Sequence, residues 1–411
     1  MADPKGGGRF DSLSIPAYRR LMIGGTFTFL AMQITQIARA WLAFELTGTN
    51  AALGGVVLGF GVASIVAIPT GGVVADRFPK RTVIVIAGLV QTVVSLVIAT
   101  TVATGIVAYW MLIVAGVLQG AAISVLAPAR LAFIADLVDR EHLTNAVVLG
   151  MSSLQLTRMI GPALAGTLIG VNTIGIAGVY YIGCGASAIG LLLVVGLPDG
   201  RPKHTSERTP IEDLSDGVRF VKSMPMLSHL IIFSFLIVLV GFPHQVFLPA
   251  IAEDVFDTGS AGFGFLATAA AIGAFISTLA LANTPRNRLR PIQTIAALSF
   301  GVALIGFALA PSFPVALAAI MVVGAAAASF QALNNSLILA LAPVEYHGRV
   351  QSLLMLSFTG FGLAALPMGL LADTAGLRVT MTAMGAVMML VVAWSVWWLR
   401  RLAAHESGRL W

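Results

Sequence analysis

Apolar residues run along this chain in blocks too long for the core helices of a water-soluble domain. The first extends from Leu21 to about Leu46, and others fall near 50–75, 83–104, 107–130, 143–170 and 174–197. A polar stretch from Pro198 to Pro225 interrupts them, carrying Asp199, Arg201, Lys203, His204, Glu207, Arg208, Glu212, Asp213, Asp216, Arg219 and Lys222. Six more blocks follow near 226–250, 260–282, 291–311, 313–341, 349–372 and 378–399. A helix needs about 20 apolar residues to cross the hydrocarbon core, and every block reaches that length. The strict in-out alternation of outer-membrane strands is missing, whereas a helix satisfies its own backbone in lipid. The pattern predicts an all-α integral membrane protein with twelve transmembrane helices. Residues 1–197 form an N-terminal six-helix bundle, 198–225 a linker, and 226–411 a C-terminal six-helix bundle with a short tail. The first block exceeds the roughly 7–15 residues of a signal-peptide core and lacks a convincing cleavage site, so it is expected to remain in the mature protein.

Charge supplies the orientation. With both termini on one side, all of the 24 lysines and arginines fall on that side except Arg39, Arg158 and Arg378. Arg39 and Arg158 lie inside spans, and Arg378 shares the opposite side with the acidic Glu253, Asp254 and Asp257. By the positive-inside rule both termini and the linker are cytoplasmic, in a bacterial-type cytoplasmic membrane. Trp394, Trp397 and Trp398 at the inner end of the last span fit an interfacial aromatic belt. Composition agrees: 58% of residues are hydrophobic, 10% are charged, and mean hydropathy is +0.93. Soluble domains carry about a quarter charged residues, which excludes disorder, nucleic-acid modules and ordinary cytoplasmic enzymes. The net charge of +6 reads as topology and attraction to anionic lipid heads, with no nucleic-acid partner expected. Cys184 is the single cysteine, so no internal disulfide can form and no thiolate pair exists for a metal.

An internal repeat appears at an offset of 204 residues: Gly120-Ala121-Ala122 recurs as Gly324-Ala325-Ala326, and Leu137 and Glu141 meet Leu341 and Glu345. Halves repeated in the same orientation imply a pseudo-twofold axis along the membrane normal, with a substrate cavity at their interface. Between spans 2 and 3, Gly72-Val73-Val74-Ala75-Asp76-Arg77-Phe78-Pro79-Lys80-Arg81 resembles the signature of the major facilitator superfamily, with Pro79 in place of a usual glycine. Trp41-Leu42-Ala43-Phe44-Glu45-Leu46-Thr47-Gly48, Pro128-Ala129-Arg130 and Gly161-Pro162-Ala163-Leu164-Ala165-Gly166 look like its branch of drug, macrolide and siderophore exporters. The resemblance implies two six-helix bundles that rock around a central site, giving alternating access. It also implies a cytoplasmic gate of Asp76, Arg77, Lys80, Arg81 and Arg130, in which Asp76 approaches the start of helix 11 near Gly348 and Arg349. Unsatisfied N–H groups there favour an anion. The plainer alternative is a topological anchor whose charges hold the loop in water.

Polar residues inside the spans are the cavity candidates. Gln33, Gln36 and Arg39 form one stripe on span 1, and Ser152, Gln155 and Arg158 repeat the spacing on span 5. An arginine facing lipid is costly, so both stripes are expected to face the bundle interior or a wet cavity. Arg39 either attracts an anionic or acceptor-rich cargo or snorkels to the outer interface, and Arg158, more central in its span, favours the cargo role. Gln119, His244, Gln245, Gln331, Asn334 and Asn335 are further candidates, each open to a purely structural role joining helices by hydrogen bonds. His229 is expected at the interface, and Gly161-Pro162 should weaken or bend its helix.

Coupling is harder to read. Glu45, Asp76, Asp136 and Asp373 all lie near span ends, leaving the interior without an acid. Glu45 leads as a proton-coupling candidate and His244 follows, against a reading of Glu45 as an ordinary interfacial carboxylate. The arginine of a superfamily motif on span 4 is replaced by Gly116, which weakens proton antiport. Neither a GxxxxGK[ST] phosphate loop nor an HExxH helix is present, so no enzyme, cofactor or metal site is expected. The chain is expected to work as a monomer in the lipid bilayer, exporting an amphipathic drug or small metabolite, with protons as a candidate co-substrate. Import, lysolipid movement or a non-transporting receptor are the alternatives.

Overall fold

The apolar blocks fold as helices because only intrahelical hydrogen bonds satisfy so long a run of backbone away from water. The computed structural model describes residues 11–200, 210–281, 284–343 and 346–407, and the side chains of 64–77, 140, 210–214, 286, 352, 355–360 and 402–407 lie outside that description. Among the described residues every regular element is helical. In chain order these are α1 (Pro16–Thr47), α2 (Asn50–Arg77), α3 (Lys80–Ala103), α4 (Tyr109–Leu137), α5 (Arg140–Ile169) and α6 (Gly175–Val195). They continue with α7 (Pro210–Ser223), α8 (Pro225–Gly241), α9 (Gly259–Leu281), α10 (Leu289–Ala308), α11 (Phe313–Leu341), α12 (His347–Ala375) and α13 (Leu377–Ser407). Nine helical segments among the described residues are long and apolar enough to cross a membrane.

Three boundaries differ from the pattern's expectation. Helix α4 runs on to Leu137 rather than stopping near 130, so Arg130 lies within the helix and not at its end. The polar linker holds a helix, α7, whose one apolar side is buried: Val221 packs among Leu227, Leu230, Ile338 and Leu354, and Phe220 stacks on Tyr346 with ring centroids 3.9 Å apart. Beyond Gly241 the winding tightens to a 3-10 helix over Phe242–Phe247 and then widens to a π turn over Ile251–Val255. Pro243 and Pro249 lack the donors that a regular α-helix would need there. Pro162, by contrast, lies inside an uninterrupted α5.

The chain divides into two compact units, one of Met1–Leu42 with Ala63–Glu207 and one of Ala43–Val62 with Arg208–Trp411. The first is centred on Tyr18, Val83, Phe133, Ile134 and Val194. Its N-terminal turn is tied down where Ser12 Oγ donates to Asn145 Oδ1 at 2.6 Å and Tyr18 Oη to the Ala146 carbonyl at 2.7 Å. In the second, α9 and α11 cross with backbones touching, because a Cβ on Gly273 would collide with the Met321 carbonyl and one on Gly324 with the Ala270 carbonyl. The repeated Gly324 is thus a packing glycine of the kind that drives helix association in membranes.

Candidate functional site

Arg39 is 6% exposed on α1, and its Nη1 donates to Oε1 of Gln119, itself 7% exposed on α4. A neutral amide oxygen satisfies a donor without cancelling the charge. Among the described residues no carboxylate pairs with this guanidinium, so the bundle interior keeps a buried positive charge there. Two candidates read separately from the sequence are therefore one unit. Tyr180 on α6 is also fully buried, and its hydroxyl has no hydrogen-bond partner among the described residues. Sequence reasoning missed it, since tyrosine in an apolar span reads as core. Gln33 is half-buried and lies against Gly161, where a Cβ would come within 2.6 Å of the Gln33 Cβ, while Gln36 is exposed. The two stripes thus split. On α5, Ser152 and Arg158 are exposed and Gln155 half-buried, with no hydrogen bond or ion pair from Arg158 to another described residue.

The side chains of Asp76 and Arg77 lie outside the described residues. The rest of the expected gate is spread over three places. Lys80, buried at the start of α3, pairs with Asp136 near the end of α4. Sequence reasoning left Asp136 without a role, although both residues sit at span ends on one side. Arg81 pairs with Asp199 and donates from Nη1 to the Leu197 carbonyl at 2.9 Å, closing the C-terminal end of α6. Arg130 lies 6% exposed in a small cleft bordered by Leu21, Ile84, Leu126 and Val194. Its guanidinium is 5.0 Å from the centre of the Phe29 ring, and Nε and Nη1 have no hydrogen-bond partner among the described residues. Gly25 makes room for it, since a Cβ there would fall 2.6 Å from Cζ.

In the second unit the candidates take structural positions. Asn334 is buried and accepts from Gln293 Nε2 at 2.6 Å, joining α11 to α10. Neighbouring Asn335 has a buried Oδ1 without a partner among the described residues, and Gln331 is exposed. His244 is buried in the 3-10 stretch, its Nδ1 2.6 Å from the Gly241 carbonyl, and Gln245 beside it is exposed. His229 is 2% exposed, stacked on Trp398 at 4.2 Å with Nε2 2.9 Å from Ser395 Oγ. Trp394 and Trp398 of α13 cover it, so it is shielded by protein beside the tryptophans expected at the interface. Trp397 does reach the surface, with Arg401 4.0 Å above its ring. Glu45 is exposed near the end of α1.

Lipid-length helices, nine of them long and apolar enough to cross a membrane among the described residues, define a multi-span membrane protein. The chain belongs to the Major Facilitator Superfamily, whose model matches residues 21–364. It is 25% identical over 347 residues to the enterobactin exporter EntS of Shigella flexneri, covering 82% of this chain and 80% of that protein. It is 27% identical over 219 residues, about half of each chain, to the uncharacterized MFS-type transporter YfiS of Bacillus subtilis. Among solved structures, a bacterial homolog of the human lysosomal transporter Spinster in an inward-facing, occupied conformation matches with a TM-score of 0.75 at 15% identity, over 96% of this chain and 98% of that one. The nucleoside transporter NupG matches with a TM-score of 0.67 at 14% identity, over 92% of this chain and 96% of that one. These neighbours share the fold.

Proposed function

We propose that the protein is a secondary active transporter that exports an amphipathic, acceptor-rich or anionic metabolite across the bacterial cytoplasmic membrane by alternating access. The observation that carries the cargo class is the buried Arg39 guanidinium, held by the neutral Gln119 with no carboxylate partner among the described residues. Direction of transport rests on the similarity to an enterobactin exporter along most of both chains. In this reading Arg39, Gln119, Arg158 and the half-buried Gln33 and Gln155 meet the cargo, and Gln36, Gln331 and Asn335 border its path. His244 and Asn334 hold helices. Twelve spans in two pseudo-symmetric halves, both termini cytoplasmic, complete the arrangement. For coupling to protons, Glu45 is the first candidate and His244 the second.

Inside-out vesicles with and without an imposed pH gradient test this. Untargeted comparison of the metabolites they accumulate should show an anionic or carbonyl-rich amphiphile enriched about ten-fold over vesicles without the protein, and more with an acidic lumen. Equal accumulation in both would defeat the reading. Topology is checked separately. Cysteines introduced at Thr205 and Gly408 in a Cys184-free background should react with an impermeant reagent only from the cytoplasmic side, and one at Thr258 only from outside. Labelling of Thr205 in intact cells would reverse the orientation.

A further inference from the structure

Helix α12 ends as α2 does. Gly72-Val73-Val74-Ala75-Asp76 closes α2 and Gly369-Leu370-Leu371-Ala372-Asp373 closes α12, and five residues after each aspartate stands an arginine, Arg81 or Arg378. Each arginine is the second residue of the following helix and each caps the C-terminus of another. Arg81 donates to the Leu197 carbonyl beyond α6, and Arg378 donates to the carbonyls of Ala308 and Ala310 at the end of α10, at 3.3 and 3.1 Å. The charge pattern puts the first copy on the cytoplasmic side and the second outside. That accounts for Arg378, the one loop arginine that violates the positive-inside pattern: its charge is spent on helix-end carbonyls.

The second copy shows what its aspartate does. Asp373 Oδ1 accepts from the Asn50 backbone N–H at 2.7 Å and from Asn50 Nδ2 at 2.9 Å, and Oδ2 accepts from the Ala51 N–H at 2.9 Å. These are the first residues of α2, whose N–H groups have no partner within the helix and whose positive dipole end favours a carboxylate. Below the cap the two helices touch backbone to backbone. A Cβ on Gly369 would come within 2.5 Å of the Asn50 carbonyl, and one on Gly362 within 3.1 Å of Gly61 Cα. At these glycines there is no side chain to interlock, and the cap at the end of the seam is a polar tie.

We infer that Asp373 is a positioning residue of the transport cycle: an outer clasp that grips the N-terminus of α2 while the outer side is shut and releases it for the outer side to open. It is the outward-facing copy of the Asp76 loop, and it rests on the alternating-access reading proposed above. A static cap would contribute to stability alone; a clasp biases one conformer against another.

Spin labels at Thr104→Cys and Ser312→Cys, both exposed in turns remote from the cap, in a Cys184→Ser background, report opening through their distance distribution in liposomes. Asp373→Asn should raise the ratio of long to short distances about ten-fold, equivalent to about 1.4 kcal/mol. Asn50→Asp, which keeps a good helix-starting residue but sets two carboxylates together, should shift the ratio the same way and decides the matter if Asp373→Asn fails to fold. Distributions unchanged in folded Asp373→Asn and Asn50→Asp overturn the clasp. The export reading fails separately: shifted distances in a protein that moves no metabolite support the clasp and defeat export, whereas normal export with unmoved distances does the reverse.

Discussion

Replacing Arg158 by glutamine is expected to cut uptake per folded molecule by about ten- to a hundred-fold. A charge-assisted hydrogen bond to cargo contributes roughly 1.5–3 kcal/mol, and each 1.4 kcal/mol is a factor of ten. The residue is exposed on α5 without a partner among the described residues, so its donors are free to meet a solute. Arg158→Lys should recover part of the loss, because the charge survives but the planar fork of donors does not. Binding and vesicle uptake normalised to folded protein separate this from a folding defect, since a group that ties no neighbour should leave the melting temperature nearly unchanged. Normal affinity and turnover in folded Arg158→Gln would remove it from the cargo path and leave Arg39 with Gln119.

The second large effect is expected on stability. Asp136→Ala should lower the thermal midpoint more than Lys80→Ala, although both break the Lys80–Asp136 ion pair. The Lys80 side chain is 1% exposed and the Asp136 carboxylate 25%, so losing the acid takes a counter-charge from a deeply buried ammonium, whereas losing the lysine leaves a carboxylate that water reaches. Breaking a buried pair from one side costs about 3–5 kcal/mol, while replacing both members by apolar residues is often neutral. Lys80→Met with Asp136→Leu should therefore regain most of the midpoint lost in Asp136→Ala. Equal destabilisation by the two alanine variants, read by thermal unfolding in detergent, would show that burial does not set the balance.

The fold was legible because lipid imposes one strong rule, and every helix that follows it announces itself by length. Arg378, the one loop exception to the expected charge pattern, donates to the carbonyls of Ala308 and Ala310. What escaped were pairings. Arg39 and Gln119 each stand out as polar residues in apolar spans, but 80 positions separate them and no periodicity connects one helix face to another. Arg130 was placed at the end of its span, whereas the backbone continues helically to Leu137 and the guanidinium lies over the Phe29 ring. Asp373 reads as an ordinary span-end acid until its five-residue context is set beside that of Asp76. The buried sides of His229 and His244 were hidden too, since a histidine in an apolar run gives no sign of whether rings or lipid surround it.

The π turn over Ile251–Val255 holds slack in the chain. Its Phe256 N–H bonds the Ile251 carbonyl at 3.3 Å, so the ring encloses one residue more than an α-helical turn would. A stretch of that kind is how a helix stores an inserted residue without displacing what comes after. Deletion of a single position between Ile251 and Val255 should therefore be absorbed by rewinding, with α9 left in its original register.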